Sequence, residues 1–272
     1  MSVLLVDIGN TRIKWARFDG TRLGRQYAQA FAGWTAKDFA RRVIGKRRAG
    51  RKPGIDRILV SSVAGTRVNR LLIQAARHAN GPKAEFIASQ RRAGGITTAY
   101  VEPWRLGVDR FAMAIGAHDL AKGLGVCIVS VGTALTIDLI SAGGKHFGGA
   151  ILPSPRLMMD SLLNKTSGIR RRASSPARSA KRRKRGKTSP IFARTTRAAI
   201  EQGTLLAAAA AIDRGAQEAA RTLRQPPLVL LTGGGAQAVA PLIRTPHVSV
   251  PGLVLHGLRV LAGKGKPPSS DS

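Results

Sequence analysis

The sequence predicts an α/β fold made of two similar halves with a cleft between them. Residues 3–18 and 127–140 share one layout, in which an aliphatic strand runs into a short glycine-containing turn and a second strand leaves it. A third aliphatic run, residues 228–231, ends in the glycine triplet 233–235. Continuous aliphatic runs are typical of strands that are covered on both faces of a sheet. The repeated layout indicates an internal duplication.

The first half reads as three strands followed by alternating helices and strands. Residues 3–6 are continuously aliphatic, residues 12–18 alternate polar and apolar side chains, and a turn at 18–21 leads to a strand near 25–31. The later elements are a helix capped by Thr35, a buried strand, a helix and a short strand, over residues 35–48, 57–63, 68–79 and 85–88. The order βββαβαβ resembles the ribonuclease H-like half of the actin, sugar kinase and Hsp70 superfamily, and two such halves form an actin-like ATPase fold.

The second half repeats the opening hairpin and continues with helices and two more strands. Its later elements are a helix start, an alanine-rich helix, a strand, a helix, a short strand and a last helix, over residues 157–163, 198–223, 228–231, 236–243, 247–250 and 253–261. We place the N-terminal half at residues 1–116 and the C-terminal half at 117–262, with a flexible basic loop at 168–190. Residues 263–272 are polar and rich in proline, and we expect a disordered tail.

The first turn combines an acid with small polar residues. Gly9 lets backbone amides approach an anion, and the side chains of Asn10 and Thr11 add donors. Asp7 would repel a bare phosphate. It is compatible with a phosphate site if a divalent cation lies between its carboxylate and the phosphate, since Mg²⁺ takes oxygen ligands from carboxylates and nucleotide phosphates together. An ordinary hairpin with a polar turn would account for the same residues.

The second turn matches the first position by position. Ser130 aligns with Asp7 and Thr133 with Asn10. Two such turns that face each other would hold a triphosphate from both sides, and the glycine triplet offers bare backbone to a nucleotide. Three glycine turns, each at a strand end, favour a nucleotide site over three unrelated hairpins.

Composition indicates an ordinary globular protein of 272 residues, 43% of them hydrophobic. The single cysteine, Cys127, lies in an aliphatic strand, which indicates a buried structural thiol, excludes an intramolecular disulfide and fits a reducing compartment.

The N-terminus enters a core strand directly, and no apolar run reaches the roughly 20 residues that span a bilayer. We therefore expect a cytoplasmic protein that is not embedded in a membrane.

The charge is strongly basic, with 45 Lys and Arg against 14 Asp and Glu, a net charge of +31. Residues 170–187 carry ten basic residues and no acid, and without them the net charge is still +21. Such a charge raises nucleic acid as a possible partner. Aromatic residues make up only 4% of the chain and none lies in the basic run, which disfavours stacking on single strands. A solvated basic surface with an anionic substrate is the favoured interpretation.

A helix is predicted from Asp109 to residue 122, after Pro103 ends any regular element. Asp109 therefore lies at a helix N-terminus. It is either a capping residue or a carboxylate presented to a substrate hydroxyl beside the phosphate site. A weak base suffices where phosphoryl transfer is loose and the base chiefly orients the attacking hydroxyl.

Other nucleotide-binding and metal-binding motifs are absent from the sequence. It contains neither GxxxxGK[ST] nor a GxGxxG that follows a strand, so it is not a P-loop kinase or a dinucleotide-binding protein. The five histidines show no metal-ligand spacing, and we interpret them as surface or packing residues: His78, His118, His146, His247 and His256.

Five motifs, in order along the chain, resemble those of the type III pantothenate kinases. They are DIGNT at 7–11, LGVDR at 106–110, GTALTID at 132–138, GGAILP at 148–153 and TGG at 232–234. The resemblance extends from residue 3 to about 261. It implies ATP-dependent phosphorylation of the 4′-hydroxyl of pantothenate to 4′-phosphopantothenate, the first step of coenzyme A biosynthesis. It also implies a homodimer with active sites at the subunit interface.

The resemblance further implies roles for individual residues. The ATP phosphates would be held by the first turn and Thr133, with Mg²⁺ near Asp7 through water; the turn residues are Asp7, Ile8, Gly9, Asn10, Thr11, Arg12, Ile13 and Lys14. Pantothenate would be held by Tyr100, Gly107, Val108, Asp109, Arg110 and, from the partner chain, Thr196. Asp109 would accept the hydroxyl proton.

The chain departs from the family pattern at two motif positions. Ser130 stands where the family usually has an aspartate that ligates a monovalent cation, so a K⁺ or NH₄⁺ requirement is not expected. Ser154 replaces the glycine after Pro153, and the loop before Thr196 is long and basic. One alternative is a non-catalytic accessory protein that binds nucleic acid or a transcription partner through this basic loop. Another is a kinase with a different acceptor, such as a sugar.

Overall fold

The computed structural model describes residues 1–45, 54–165, 167–174 and 192–263. The chain divides into two compact units. The first contains Met1–Ile128, Asp138–Gly148 and the chain from Val250 onward, and the second contains Val129–Ile137 and Gly149–Ser249. The predicted tail at 263–272 lies outside the described residues except for Gly263.

The first sheet has five strands in the order β3-β2-β1-β4-β5. The strands are β1 (Val3–Ile8), β2 (Arg12–Phe18), β3 (Tyr27–Ala30), β4 (Arg57–Ser62) and β5 (Ala84–Phe86). β1 pairs antiparallel with β2 and parallel with β4. All six residues of β1 are buried, as expected of an aliphatic strand covered on both faces.

Two helical segments cover one face of this sheet. Thr35 caps α1 (Ala36–Phe39) through a reciprocal bond with Asp38, and the helix continues as a π-helix over Ala40–Ile44. The helix was predicted to run through residue 48, but Gly45 adopts a φ of 107° and ends it, and residues 46–48 lie outside the described residues. The second helix is α2 (Thr66–His78), and both segments pack their apolar side chains on Leu4, Val6 and Ile8.

Two short strands and a long helix follow in the first unit. β6 (Arg92–Ala93) and β7 (Ile96–Thr97) form a two-stranded ribbon, and the single 3₁₀ turn Pro103–Arg105 leads to α3 (Val108–Leu120). The chain returns to this unit as α8 (Leu253–Gly263), which packs tightly against α3. A Cβ on Gly257 would lie 1.8 Å from the carbonyl oxygen of Ala112, so only glycine allows the two helices this approach.

The second sheet repeats the strand order of the first, as β10-β9-β8-β11-β12. Its strands are β8 (Val126–Val131), β9 (Ala134–Ile140), β10 (His146–Pro153), β11 (Leu228–Thr232) and β12 (Val248–Ser249). The boundaries between the two units fall within β8, β9 and β10. The same order of five strands in both sheets supports the internal duplication that the two turns predicted.

The helices of the second unit are α4 (Pro155–Lys165), α5 (Ser167–Ser174), α6 (Thr196–Leu223) and α7 (Ala236–Val239), with a 3₁₀ turn at Ala240–Leu242. A loop was predicted from residue 168, but α5 is helical, since arginine is a good helix former and residues 168–175 contain no proline. Residues 175–190 of that loop lie outside the described residues. Of the helices that the structure describes, none is long and apolar enough to span a membrane.

Candidate active site

The turn between β1 and β2 presents polar groups at a strand end. The Gly9 N–H donates to the carbonyl of Arg12 (3.0 Å), and Ile8 pairs with Ile13 across the hairpin. This closed turn leaves the side chains of Asn10, Thr11 and Arg12 exposed. The predicted ATP-binding residues of this stretch therefore lie together on the β1–β2 hairpin, with Gly9, Asn10 and Thr11 in its turn.

Asp7 is the buried acid of this turn. It lies on β1 opposite Lys14 on β2 and Ser61 on β4, with only 7% of its surface exposed. The pKa of Asp7 is raised to about 7, mainly by burial; the positive charge of Lys14 acts to lower it and the negative charge of Asp109 acts to raise it. Asp7 and Asp109, which are far apart in the sequence, therefore lie within electrostatic reach of each other in the folded chain.

The surroundings of Asp7 fit a divalent cation. A buried carboxylate whose charge is opposed by burial is stabilised in its ionised form when a cation lies beside it. Mg²⁺ takes oxygen ligands and usually combines one or two carboxylates with nucleotide phosphates. The carboxylate of Asp7, next to a turn with exposed donors, has the chemistry that such a site needs.

Asp109 lies in the first turn of α3 but does not cap it. The N-cap residue is Gly107, without a side-chain capping bond, and Asp109 Oδ1 accepts from the backbone N–H of Arg110 (2.8 Å). A Cβ on Gly107 would lie 2.9 Å from the same oxygen, so a side chain at 107 would displace the carboxylate. Half-buried Val108 is the first helical residue. Asp109 is therefore presented by the helix start, and the capping explanation does not account for it.

Arg110 is buried beside Asp109 and held by a carboxylate. Its Nε and Nη2 groups donate to the two oxygens of Asp138, at 2.9 and 2.6 Å. Arg110 is 5% exposed and Asp138 2%. Burial lowers the pKa of Arg110, but the hydrogen bonds and charge of Asp138 outweigh it and raise the pKa above its ordinary value.

Tyr100 completes this cluster. Its hydroxyl accepts from Arg110 Nη1 (2.9 Å), and its ring stacks on His146, with centroids 6.2 Å apart. Arg91 fixes the segment that carries Tyr100, since its guanidinium donates to the carbonyls of Tyr100 and Val101, at 2.8 and 2.6 Å. The predicted acceptor residues Tyr100 and Arg110 are thus brought together.

The interpretation of His146 as a surface or packing residue was incomplete. His146 is 1% exposed, and its Nε2 atom is 3.1 Å from Asp138 Oδ1. The sequence motifs indicated no role for Asp138 or Arg91 and only a surface or packing role for His146. The available signal was Asp138 itself, a charged residue within an otherwise apolar strand motif.

The remaining predicted site residues lie in the second unit. Half-buried Ser130 lies near the end of β8, and exposed Thr133 lies in the turn that follows, where the Gly132 N–H donates to the carbonyl of Ala134 (2.9 Å). The glycine triplet packs on the end of β8, where the Gly235 N–H donates to the carbonyl of Val131 (2.9 Å). Thr196 is the first residue of α6 and lines an open groove of about 1020 Å³ between α4 and α6.

The two βββαβαβ halves and the acidic turn define a member of the actin-like ATPase fold class. The family model described as type III pantothenate kinase matches residues 3–218. The chain belongs to this family, and the predicted fold class, family and kinase activity are thereby confirmed.

Relatives across the family support this assignment. A type III pantothenate kinase of Herminiimonas arsenicoxydans is 38% identical over 264 residues, which cover 96% of this chain and 97% of the relative. One from Nitrosococcus oceani is 35% identical over 265 residues, which cover 96% of this chain and 93% of the relative.

Two solved structures share the fold. A Campylobacter jejuni protein named as a Baf family transcriptional activator has a TM-score of 0.52 at 18% identity, over 95% of this chain and 97% of that one. Component A of (R)-2-hydroxyglutaryl-CoA dehydratase from Acidaminococcus fermentans has a TM-score of 0.51 at 15% identity, over 96% of this chain and 95% of that one. At these identities the two structures show the fold alone.

Proposed function

We propose that this chain transfers the γ-phosphoryl group of ATP to the 4′-hydroxyl of pantothenate, the first step of coenzyme A biosynthesis. The observation that carries the assignment is the position of Asp109 in the first turn of α3, within electrostatic range of Asp7 and directly before Arg110. Its charge reaches Asp7 at the phosphate-binding turn, and its neighbour Arg110 is bonded to Tyr100. An acid between a phosphate site and an acceptor site is the arrangement that transfer to an alcohol requires.

The nucleotide side of the site is the β1–β2 turn. The proposed ATP contacts are Asp7, Ile8, Gly9, Asn10, Thr11, Arg12, Ile13, Lys14 and, in the second unit, Thr133. Asp7 would hold Mg²⁺ through water, and the ion, when bound, supplies positive charge to the phosphate oxygens. Lys14, whose charge already acts on Asp7, and the exposed donors of the turn bind and orient the phosphates.

The acceptor side is the start of α3. We assign Tyr100, Gly107, Val108, Arg110 and Thr196 to pantothenate binding. Asp109 accepts a hydrogen bond from the 4′-hydroxyl, orients its oxygen toward the γ-phosphorus and takes up the proton as the bond to phosphorus forms. Gly107 keeps the space around the Asp109 carboxylate open.

The monovalent-cation position of the family is proposed to be altered. Ser130 offers a neutral hydroxyl oxygen where the family pattern has a carboxylate. A neutral hydroxyl attracts a monovalent cation less strongly than a carboxylate does. We therefore propose catalysis that does not depend on K⁺ or NH₄⁺.

We propose a homodimer in which Thr196 reaches the partner's acceptor site. The support is the groove between α4 and α6, which Thr196 lines together with apolar side chains. Ile151, Leu157 and Leu162 of the same unit are exposed, and a second copy would cover such apolar surface. The single free cysteine, buried Cys127, supports a reducing, cytoplasmic location.

A coupled assay of ADP formation tests the function. Wild-type protein with ATP and Mg²⁺ should turn over with pantothenate and not with glucose, which separates the pantothenate kinase from a sugar kinase on the same fold. Absence of turnover with pantothenate, together with a gel shift of nucleic acid that persists at 0.2 M salt, would favour the accessory-protein alternative, since loose phosphate contacts fade steeply with salt.

A further inference from the structure

A buried carboxylate and a buried imidazole lie behind the proposed acceptor site. Asp138 is on β9 and His146 on β10, both in the first unit together with Tyr100 and Arg110. Asp138 accepts from Arg110 with both oxygens, and one of these oxygens also contacts His146 Nε2. These contacts are made entirely by side chains, so none of them contributes to the backbone hydrogen bonding of a strand or a helix.

These contacts fix the orientation of the Arg110 guanidinium. An arginine side chain has five N–H donors in one plane and no acceptor. Two edges of that plane are engaged, with Nε and Nη2 on Asp138 and Nη1 on the hydroxyl of Tyr100. A two-point pair with a carboxylate allows no rotation of the guanidinium about its long axis without breaking a bond.

Two sets of contacts connect this cluster to Tyr100, one through Arg110 and one through His146. Its hydroxyl accepts from Arg110, and the Arg110 guanidinium carbon lies 5.7 Å from the centre of its ring. In the second set of contacts, the His146 ring is stacked on the Tyr100 ring at an interplanar angle of 22°. Because Arg110 can only donate, the hydroxyl proton of Tyr100 is left to point to another acceptor. His146 and Asp138 thus act on Tyr100 through its ring and through Arg110.

The charge of the cluster also limits what Arg110 can do. Asp138 neutralises the guanidinium at a site from which water is excluded, so Arg110 is not a free cation for the ATP phosphates. Its function in this arrangement is directional: it holds Tyr100 and the start of α3 in one geometry.

We infer that Asp138 and His146 are positioning residues for the acceptor alcohol, which act by holding Arg110 and Tyr100 in the geometry that binds it. This inference rests on the proposed function, in which Tyr100 and Arg110 contact pantothenate. It assigns Asp138 and His146 no contact with the reacting atoms.

The test uses two variants of His146 that differ in one hydrogen bond. His146→Leu removes the donor to Asp138, and His146→Gln keeps an N–H donor at a similar distance from the backbone. We expect His146→Leu to raise the KM for pantothenate at least about tenfold, the usual effect of losing a hydrogen bond to a charged group. His146→Gln should recover most of that loss. The KM for ATP should stay within about threefold of wild type, and kcat should fall by a smaller factor than KM rises.

Asp138→Asn is the second variant, and Glu85→Gln is its matched control. Glu85 holds Arg57 of the same unit by two bonds, with Arg57 Nε at 2.9 Å from Oε1 and Nη2 at 2.8 Å from Oε2. Both substitutions break a two-point arginine–carboxylate pair, so both should lower the melting temperature. Only Asp138→Asn should raise the KM for pantothenate.

The outcomes separate this inference from the function on which it rests. If Asp138→Asn does not fold, the two His146 variants decide the question alone. An unchanged KM for pantothenate in folded His146→Leu, or equal KM effects from Glu85→Gln, would overturn the positioning role while leaving the kinase assignment intact. A wild-type protein without turnover would overturn the proposed function and this inference together.

Discussion

Replacement of Asp7 by asparagine should make the ligand-free protein more stable and at the same time inactivate it. The pKa of Asp7 rises from 3.8 to about 7 in the folded chain, mainly because the carboxyl is buried. Between these two pKa values the folded chain keeps a proton that the unfolded chain has released. The free energy of unfolding therefore falls as the pH rises through this interval.

The size of this effect follows from the pKa difference. At about 1.4 kcal/mol per pKa unit, the ionised Asp7 costs the folded chain about 4 kcal/mol once the pH exceeds 7. The asparagine side chain of the variant does not titrate, so the advantage of Asp7→Asn over wild type should grow by about 2–3 kcal/mol between pH 5 and pH 8. Urea unfolding without Mg²⁺ or nucleotide measures this difference at each pH.

Asp19→Asn provides a control with the opposite shift. Asp19 is exposed and its pKa is lowered to about 2 by hydrogen bonds from the backbone N–H groups of Arg22 and Thr21. Its stabilising contribution is present above the unfolded pKa and is lost only as the pH falls through about 2, so this variant should show no trend between pH 5 and pH 8. If the advantage of Asp7→Asn is likewise constant over that range, Asp7 is not a buried carboxylate awaiting a cation. Isothermal titration should also show that Asp7→Asn loses Mg²⁺-dependent ATP binding.

Three further expectations concern the base, the cation and the core. Asp109→Asn should lower kcat at least about 100-fold with ATP binding retained, the usual contribution of a positioned base; near-normal turnover would remove Asp109 from that role. Activity should be the same with and without added K⁺ because Ser130 offers no charge, and a strict K⁺ requirement would show that another ligand replaces the carboxylate. Gly257→Ala should cost about 1–3 kcal/mol or more by forcing α3 and α8 apart, measured by urea unfolding, whereas Gly263→Ala, with open space around it, should be nearly neutral.

Local elements were predictable because they depend on nearby residues. The alternation of residues 12–18 predicted β2 with both its ends, and the polar Thr35 predicted the cap of α1. The end of α1 was wrong because a glycine within a helical pattern is compatible with either a continued helix or a stop. At Gly45 the backbone takes a left-handed conformation, which packing decides and periodicity does not report.

The polar cluster behind Tyr100 was not predictable in the same way. Asp138 is 28 positions from Arg110 in the sequence, and the two meet only because the end of β9 that begins at Asp138 folds into the same unit as α3. A buried ion pair leaves little local signature: Asp138 stands out only as a charged residue in a mostly apolar strand, and nothing near it in the sequence identifies Arg110 as its partner. Asp7 and Asp109 were found from the sequence because each stands at the end of a regular element.

The two duplicated turns share a backbone hydrogen-bond pattern but follow different polar residues at the strand end. In both, a glycine N–H donates across the turn, from Gly9 to Arg12 at 3.0 Å and from Gly132 to Ala134 at 2.9 Å. The residue at the strand end differs, since Asp7 is a buried acid and Ser130 a half-buried hydroxyl. Each half of the duplicated fold needs the glycine turn. A second buried, unpaired carboxylate would lower the stability of the folded chain further, unless a second cation offset its charge. Asp7 is therefore the residue of the pair to which we assign the proposed cation, and the glycine turn is the feature that both halves share.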